Sequence, residues 1–300
     1  MPAKCLRYAG SRPERRINLP VGVVVVNYAS SELIAHNFAD LARVVVVDNF
    51  STAAERKACA ELCAARGWQL VTGPNTGFGE GFNAGLACLD DCDVVISANP
   101  DLSLSSAQAD ALAAAAREHP SDLVAPSIVG PSGRPWGGLG TISLTEGRLY
   151  TKEPADGPRW LSGACLAATG ALWRRLGGFA PGYFMYWEDV DLSYRVQQLG
   201  GACRVLAQPQ VRHDVGGTQG GKAGLYYFYN ARNRLVFAAR NRPASERWRW
   251  LRGSVAELRR IVSRGAEPTL WRKLTRAALP ALRGTLVGAR ILLSDPRGRP

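Results

Sequence analysis

One recurrence limits what this chain can fold into. Val21–Val26, Val44–Val47 and Val94–Ser97 are short apolar runs rich in β-branched residues, and Trp68–Val71 reads as a further strand among them. Strands covered on both faces read this way. Helical stretches lie between them, at about 31–40, over Thr52–Arg66 and at about 82–90. Strand and helix alternating through short connections predict an α/β fold. Its core is a doubly wound, mostly parallel sheet with helices on both faces. Such sheets bind ligands at the carboxyl ends of their strands. Asn27, Asp48, Asn75 and Asp101 all fall at such ends.

Further along, Ser105–Glu118 reads as an Ala-rich helix and Leu123–Ser127 as a strand. Residues 130–160 read as loops and short strands. An aromatic run, Pro181–Trp187, precedes a helix whose apolar face is Leu192, Val196 and Leu199. Arg204–Ala207 is a strand with His213 just beyond it. The Gly-rich stretch Gly216–Gly224 reads as a mobile loop, and Tyr226–Arg240 as a helix.

Charge is unevenly spread over the 300 residues, whose formal total is +12. Residues 1–20 carry five Lys/Arg and one acid; residues 240–300 carry fifteen and four; the stretch between is left with a net −3. The basic character therefore belongs to an N-terminal arm and a C-terminal extension. Two apolar stripes run through that extension, Trp248/Leu251/Val255/Leu258/Val262 and Leu282/Leu286/Ala289/Leu293, with arginines beside them. They can pack on the body, or lie in a membrane surface with Arg toward lipid phosphates. No uninterrupted apolar run reaches membrane-spanning length, and the N-terminus lacks an apolar signal core, so no secretion is expected. Seven scattered cysteines fit reduced thiols in the cytoplasm. Cys59/Cys63 and Cys88/Cys92 sit at helical spacing, which suits small core residues better than zinc ligands.

Two acidic groups carry chemistry. Asn99-Pro100-Asp101 follows the fourth strand, where a carboxylate can hold a hard cation, although Asn-Pro-Asp is also an ordinary turn. Glu188, Asp189 and Asp191 crowd the start of the acidic helix. Grouped carboxylates supply a general base, because mutual repulsion raises one pKa. Asp191 is better explained by pairing with Arg195 at i,i+4.

Val23–Tyr28, Val46-Val47-Asp48-Asn49-Phe50-Ser51, Asn75-Thr76-Gly77-Phe78-Gly79, Asn99-Pro100-Asp101 and Trp187-Glu188-Asp189 occur in that order. With these motifs, residues 21–240 resemble the family 2 glycosyltransferases of the inverting GT-A type, in the bacterial rhamnosyltransferase-like branch. The resemblance implies transfer of a sugar, L-rhamnose from dTDP-rhamnose, to a hydroxyl of a lipid-linked or polysaccharide acceptor of the cell envelope. It implies that Asp48 bonds the base imide, the alternative being a helix cap. Asn27, Tyr28, Asn75, Gly77, Phe78, Gly79, Asn83 and Asn99 would contact the nucleotide sugar. Asp101 and His213 would hold Mg2+ or Mn2+, though a lone His is often structural. Asp189 would be the base and Glu188 its neighbour or substitute. Trp187, Arg232 and Arg234 would meet the acceptor, unless the arginines are only a solvated basic face. Ala29 and Phe50 depart from the pattern and leave the donor base open.

The expected division is an arm at 1–20, a nucleotide-sugar half at 21–129, an acceptor half at 130–240 and a basic amphipathic extension at 241–300. The expected place is the cytoplasm, held peripherally at the inner face of the cytoplasmic membrane. Two other functions compete. A nucleotidyltransferase wants a basic Gly-rich loop after the first strand, where Asn27-Tyr28-Ala29-Ser30 stands. Nucleic-acid binding would use the basic tail but leaves the ordered acids unexplained, so no nucleic acid is expected.

Overall fold

The structure is a computed structural model that describes residues 4–6, 20–151, 156–214, 223–264 and 269–294. In chain order it runs β1 (Lys4–Leu6), β2 (Val21–Asn27), α1 (Ser31–Asn37), β3 (Val44–Asn49), α2 (Ala53–Arg66), β4 (Gln69–Gly73) and α3 (Phe78–Leu86). There follow β5 (Val94–Ala98), β6 (Leu102–Ser103), α4 (Ser106–Glu118), β7 (Leu123–Val129), β8 (Leu139–Ser143), β9 (Arg148–Tyr150) and β10 (Arg159–Leu161). The chain continues through β11 (Cys165–Thr169), α5 (Gly170–Leu176), α6 (Glu188–Gln198), β12 (Cys203–His213), α7 (Ala223–Asn241), α8 (Ala244–Arg264) and α9 (Leu270–Ser294). Within α9 the turns over Lys273–Ala278 widen to π-helix.

The chain divides into two units, one of residues 1–139, 159–184 and 188–215, the other of 140–158, 185–187 and 216–300. Helix α7, expected in the body at 21–240, therefore groups with the C-terminal helices. The basic arm at 1–20 and the Gly-rich stretch at 216–222 lie almost wholly outside the described residues.

The first unit holds one sheet in the order β1-β4-β3-β2-β5-β11-β7-β12-β6. The valine runs form its parallel half, where Val23–Asn27 pair with Val44–Asp48 and Val21–Val25 pair with Val94–Ala98. The sheet is mixed rather than mostly parallel, because β11 enters antiparallel between β5 and β7. Side chains alternate between two cores. Val23, Val25, Val44 and Val46 pack with Ile34 of α1, Phe38 just past its end, Cys59 and Cys63 of α2, and Leu112 of α4. Val24, Val26, Val45 and Val47 pack with Phe82 of α3, Leu172 and Trp173 of α5, and Leu192 and Val196 of α6. That is the doubly wound arrangement, and it absorbs Cys59 and Cys63 of α2 as core residues.

Helix ends follow their sequence signals. Thr52 caps α2 through Glu55 N, Gly67 closes it at φ 65°, and Ser105 and Gln108 form a capping box on α4. One boundary moves. The Gly-rich run, read as a loop before a helix at 82, already belongs to α3. A Cβ at Gly81 would lie 2.9 Å from Val26 Cγ1, and one at Gly85 2.5 Å from Val24 Cγ1. The glycines therefore seat α3 on β2 and β3.

In the second unit β8 and β9 form a hairpin, with Ile142 opposite Leu149. Trp250 of α8 is fully buried, stacked on Phe237 of α7 at 5.4 Å. Helix α9 meets α7 through small residues. A Cβ at Gly284 would stand 2.1 Å from Phe228 O, and one at Gly288 2.7 Å from Arg232 O. By length and composition α9 can cross a membrane, although no uninterrupted apolar run does so, because arginines punctuate it.

Candidate active site

The carboxyl edge of the parallel strands begins with Asn27 and Asp48, paired across β2 and β3. Asn27 is buried, and its amide is already engaged. Oδ1 accepts from Ser30 N at 2.9 Å, and Nδ2 donates to Glu55 Oε1 at 3.2 Å and Asp48 Oδ1 at 3.4 Å. Glu55 Oε1 also accepts from Ser31 N at 2.7 Å, so the β2–α1 turn, with Ala29 at φ 56°, is tied to α2. Asn27 thus ties the end of β2 to the following turn and to α2. Asp48 is no helix cap, since Thr52 fills that position. Its carboxylate is fully buried and accepts from Arg56 Nε at 2.5 Å. Arg56 also donates to Gly73 O at 2.7 Å and lies 4.6 Å over the Phe50 ring. A base imide would therefore meet an Asp48 carboxylate already neutralised by Arg56.

The residues around Gly77 divide. Asn75 is exposed, with Oδ1 accepting from Gly77 N at 3.1 Å. Gly77 adopts φ 99°, and a Cβ there would strike Phe184 O at 2.2 Å. A Cβ at Gly79 would come within 2.9 Å of Phe179 Cβ. Phe78 packs edge-on against Phe179 at 5.5 Å. Asn83 accepts from Phe179 N and donates to Phe179 O, both at 2.8 Å, which makes it a tie between α3 and the loop after α5. Among the expected nucleotide contacts, Gly77, Gly79, Phe78 and Asn83 all make close contacts with residues 179–184. Exposed Tyr28 and Asn75 keep solvent-facing surface at this edge.

Asp101 and His213 come together although 112 residues separate them. His213 ends β12 opposite Leu102, and its Nε2 stands 2.9 Å from Asp101 Oδ1. His213 is nearly fully buried, its ring lies 4.3 Å from that of Trp136, and its Nδ1 has no hydrogen-bond partner among the described residues. Two ligands cis on an octahedral ion, bound at about 2.1 Å, are separated by about 3 Å. The pair therefore fits a small divalent cation. Among the described residues no third His, Cys, Asp or Glu joins them. Water and a diphosphate would have to complete the shell, as is usual for Mg2+. Asn99 N donates to Ala164 O at 2.9 Å, so the Asn99-Pro100-Asp101 loop is docked on the lead-in to β11.

That lead-in also holds Asp189. Gly163 N donates to Asp189 Oδ2 at 2.9 Å, and Val190 N donates to Oδ1 at 2.9 Å. Burial pushes the Asp189 carboxyl above its ordinary value, against the opposing pull of these N–H donors. Glu188 beside it is largely buried. Asp191 is the structural acid of the three, bonded to Arg195 Nε at 2.6 Å and Tyr183 OH at 3.2 Å.

The second unit contains the expected acceptor residues, and two of them are core. Trp187 is buried against Phe237 and Trp250 at 5.6 and 6.3 Å. Arg234 is buried, donating to Gly147 O at 2.5 Å, Trp250 O at 2.7 Å and Ser254 Oγ at 3.0 Å, and desolvation lowers its pKa to about 10. Its donors are engaged by backbone carbonyls and a serine hydroxyl within the core. Arg232 donates to Asn233 Oδ1 at 2.5 Å. The residue missed by sequence reasoning is Asn233. Its Nδ2 donates to both Met185 O and Tyr186 O at 2.8 Å. Tyr186 and Trp187 are left-handed, at φ 66° and 73°, a strained pair directly before Glu188.

No family model matches the chain. An N-acetylglucosaminyl-diphospho-decaprenol L-rhamnosyltransferase of Mycobacterium tuberculosis is 30% identical over 223 residues, which cover 62% of this chain and 72% of that one. The chain belongs to the rhamnosyltransferase-like glycosyltransferases. This glycosyltransferase is also 24% identical over 206 residues to the low-salt glycan biosynthesis hexosyltransferase Agl10 of Haloferax volcanii, covering 62% of this chain and 65% of that one. Its fold is shared with S. aureus TarS 1-349, at TM-score 0.54 and 15% identity, over 91% of this chain and 82% of that one. The mannosyltransferase PcManGT of Pyrobaculum calidifontis, solved with GDP-Man and Mn2+, superposes at TM-score 0.51 and 17% identity, over 92% and 88%. These likenesses establish the GT-A architecture.

Proposed function

We propose that this glycosyltransferase moves L-rhamnose, with inversion, from dTDP-rhamnose to a hydroxyl of a lipid-linked glycan acceptor in cell-envelope synthesis. One observation supports the reading above the others. The Asp189 carboxylate and the Asn99-Pro100-Asp101 loop are fastened to adjacent residues, Gly163 and Ala164. An acceptor-side base and a diphosphate-side carboxylate are thereby held in one register. In the reaction Asp189 takes the acceptor hydroxyl proton as that oxygen bonds to the anomeric carbon, while the bond from that carbon to the nucleoside diphosphate breaks. The two N–H donors, one on each oxygen, hold the Asp189 carboxylate in place. Asp101 and His213 would hold Mg2+ or Mn2+, which neutralises charge on a departing diphosphate.

Tyr28 and Asn75 line the donor side, with the Asp48–Arg56 pair and Phe50 as its floor. The named acceptor of the mycobacterial relative is a decaprenyl diphosphate sugar. By analogy the proposed acceptor is lipid-linked, and the proposed place is the cytoplasmic face of the membrane. The deciding experiment follows nucleoside diphosphate release across a panel of nucleotide sugars, with a polyprenyl-diphosphate acceptor and with or without Mg2+ or Mn2+. Release with dTDP-rhamnose that needs both acceptor and cation is expected. Release only with another donor, or without a cation, overturns the corresponding part. A second test is Asp101→Ala, which should abolish cation-dependent nucleoside diphosphate binding by calorimetry; unchanged affinity would remove Asp101 from the diphosphate site.

A further inference from the structure

Helix α9 is packed inside out. Its inward positions are Ala277, Ala281, Gly284, Thr285, Gly288 and Leu292, nearly all small. Its outward positions are Leu279, Leu282, Leu286 and Leu293, spaced by three, four and seven residues along one face. Leu286 is 58% exposed and Leu293 75%. In water the hydrophobic effect selects the opposite arrangement, with large side chains inward and polar ones outward. Where the surroundings are as apolar as leucine, small residues gather at the helix contact and leucines face outward. Helix α8 also leaves large apolar side chains outward: Trp248 and Val255 are about half exposed, although Trp250 is buried.

We propose that the outward leucine face of α9 is a membrane-docking surface, lying in the plane of a bilayer rich in anionic phospholipid. Charge selects that occupant over a second copy of the chain. Between residues 270 and 294 there are five basic residues and no acid. Arg272, Arg276, Arg283 and Arg290 are all exposed. A homotypic contact would set these guanidinium groups against one another, whereas lipid phosphates pair with them. Trp271, 74% exposed at the start of the helix, supplies the amphipathic ring typical of the membrane–water interface. The regular punctuation by arginine argues for lying in the surface over crossing it, since a central Arg is costly in hydrocarbon. The inference deepens the membrane attachment proposed above, and it stands apart from the donor chemistry.

The test is co-sedimentation of the full chain with phosphatidylglycerol or phosphatidylcholine vesicles, needing no sugar donor. Binding to the anionic vesicles is expected, weakened by salt and reversed by carbonate washing. Leu282→Gln/Leu286→Gln/Leu293→Gln should lower the bound fraction at least tenfold with an unchanged melting temperature. Leu286→Gln alone should give a smaller loss if the triple variant fails to fold. Arg272→Gln/Arg276→Gln/Arg283→Gln/Arg290→Gln should erase the preference for anionic vesicles. Absence of wild-type binding, or full binding by the folded leucine variants, overturns the proposal. So does carbonate-resistant binding, which means a spanning helix. A wild-type dimer in light scattering that dissociates in the leucine variant makes the face an interface between copies. Donor-dependent release with a soluble acceptor should persist in all variants, which separates failure here from failure of the transferase reading.

Discussion

Asp189, the proposed base, would link stability and rate through one side chain. Its carboxyl is held above the ordinary value near 3.9 by burial, so the fold binds the proton more tightly than the unfolded chain does. Stability therefore falls as pH rises from about 3.9 through the raised folded value, and stays lower above it. Asp189→Asn removes that cost while its amide oxygen still accepts from Gly163 N. Its melting temperature near neutral pH should equal or exceed wild type, with turnover down about 100-fold or more and donor binding retained. In wild type the acid limb of kcat should lie above the usual carboxylate range. Near-normal turnover would move the base to Glu188. We propose Asn233 as a positioning residue for the Tyr186-Trp187 pair. Asn233→Ala loses two hydrogen bonds worth about 1 kcal/mol each and releases Tyr186 and Trp187 from their left-handed pair. A lowered kcat with an unchanged donor KM is expected. Asn233→Asp should not rescue it, because a carboxylate cannot donate to carbonyls. Equal kcat in all three proteins would make Asn233 merely structural. The places of Asp101, Asp189 and Asp191 were legible, because acids beside strand ends and helix starts carry local signals. Arg56, Glu55 and Asn233 were not, since their partners are backbone carbonyls or strand-edge groups placed by the fold.

At the scale of elements, the valine runs announced β2, β3 and β5 because a strand covered on both faces leaves no room for alternation. The antiparallel β11 was hidden, as Cys165–Thr169 is too small and mixed to show direction. Helix α3 was begun too late because glycine ordinarily weakens helices by about 1 kcal/mol. Here close approach to the sheet outweighs that cost. Gly85→Ala should destabilise by about 1–3 kcal/mol through overpacking against Val24 and Val47, read as a lowered denaturation midpoint with an unchanged slope. A neutral or stabilising result would mean that the valines yield, and that Gly85 is no contact device.

For the whole molecule, charge and composition set an acidic body against a basic end near residue 240, while α7 groups with the C-terminal helices. Helix α7 looks like a body helix by its own sequence, and its grouping depends on glycines of α9 that lie more than forty residues later. A chain cut after residue 240 would therefore uncover Phe237 and Leu235, both fully buried in the intact protein. We expect that truncation to aggregate or melt lower, while full-length chains altered only at outward leucines keep their melting temperature. Equal thermal unfolding of the truncated and full chains would show α7 to be stable without its partners.

Trp136 has a use that its packing does not announce. It is one of eight tryptophans, and its ring lies against His213 at 4.3 Å. An indole at that range is a resident optical probe of whatever binds the Asp101–His213 pair. Paramagnetic Mn2+ should dim its emission where diamagnetic Mg2+ does not, and the difference should vanish in Trp136→Phe. Cation affinity then becomes readable in a cuvette, before any donor or acceptor has been identified.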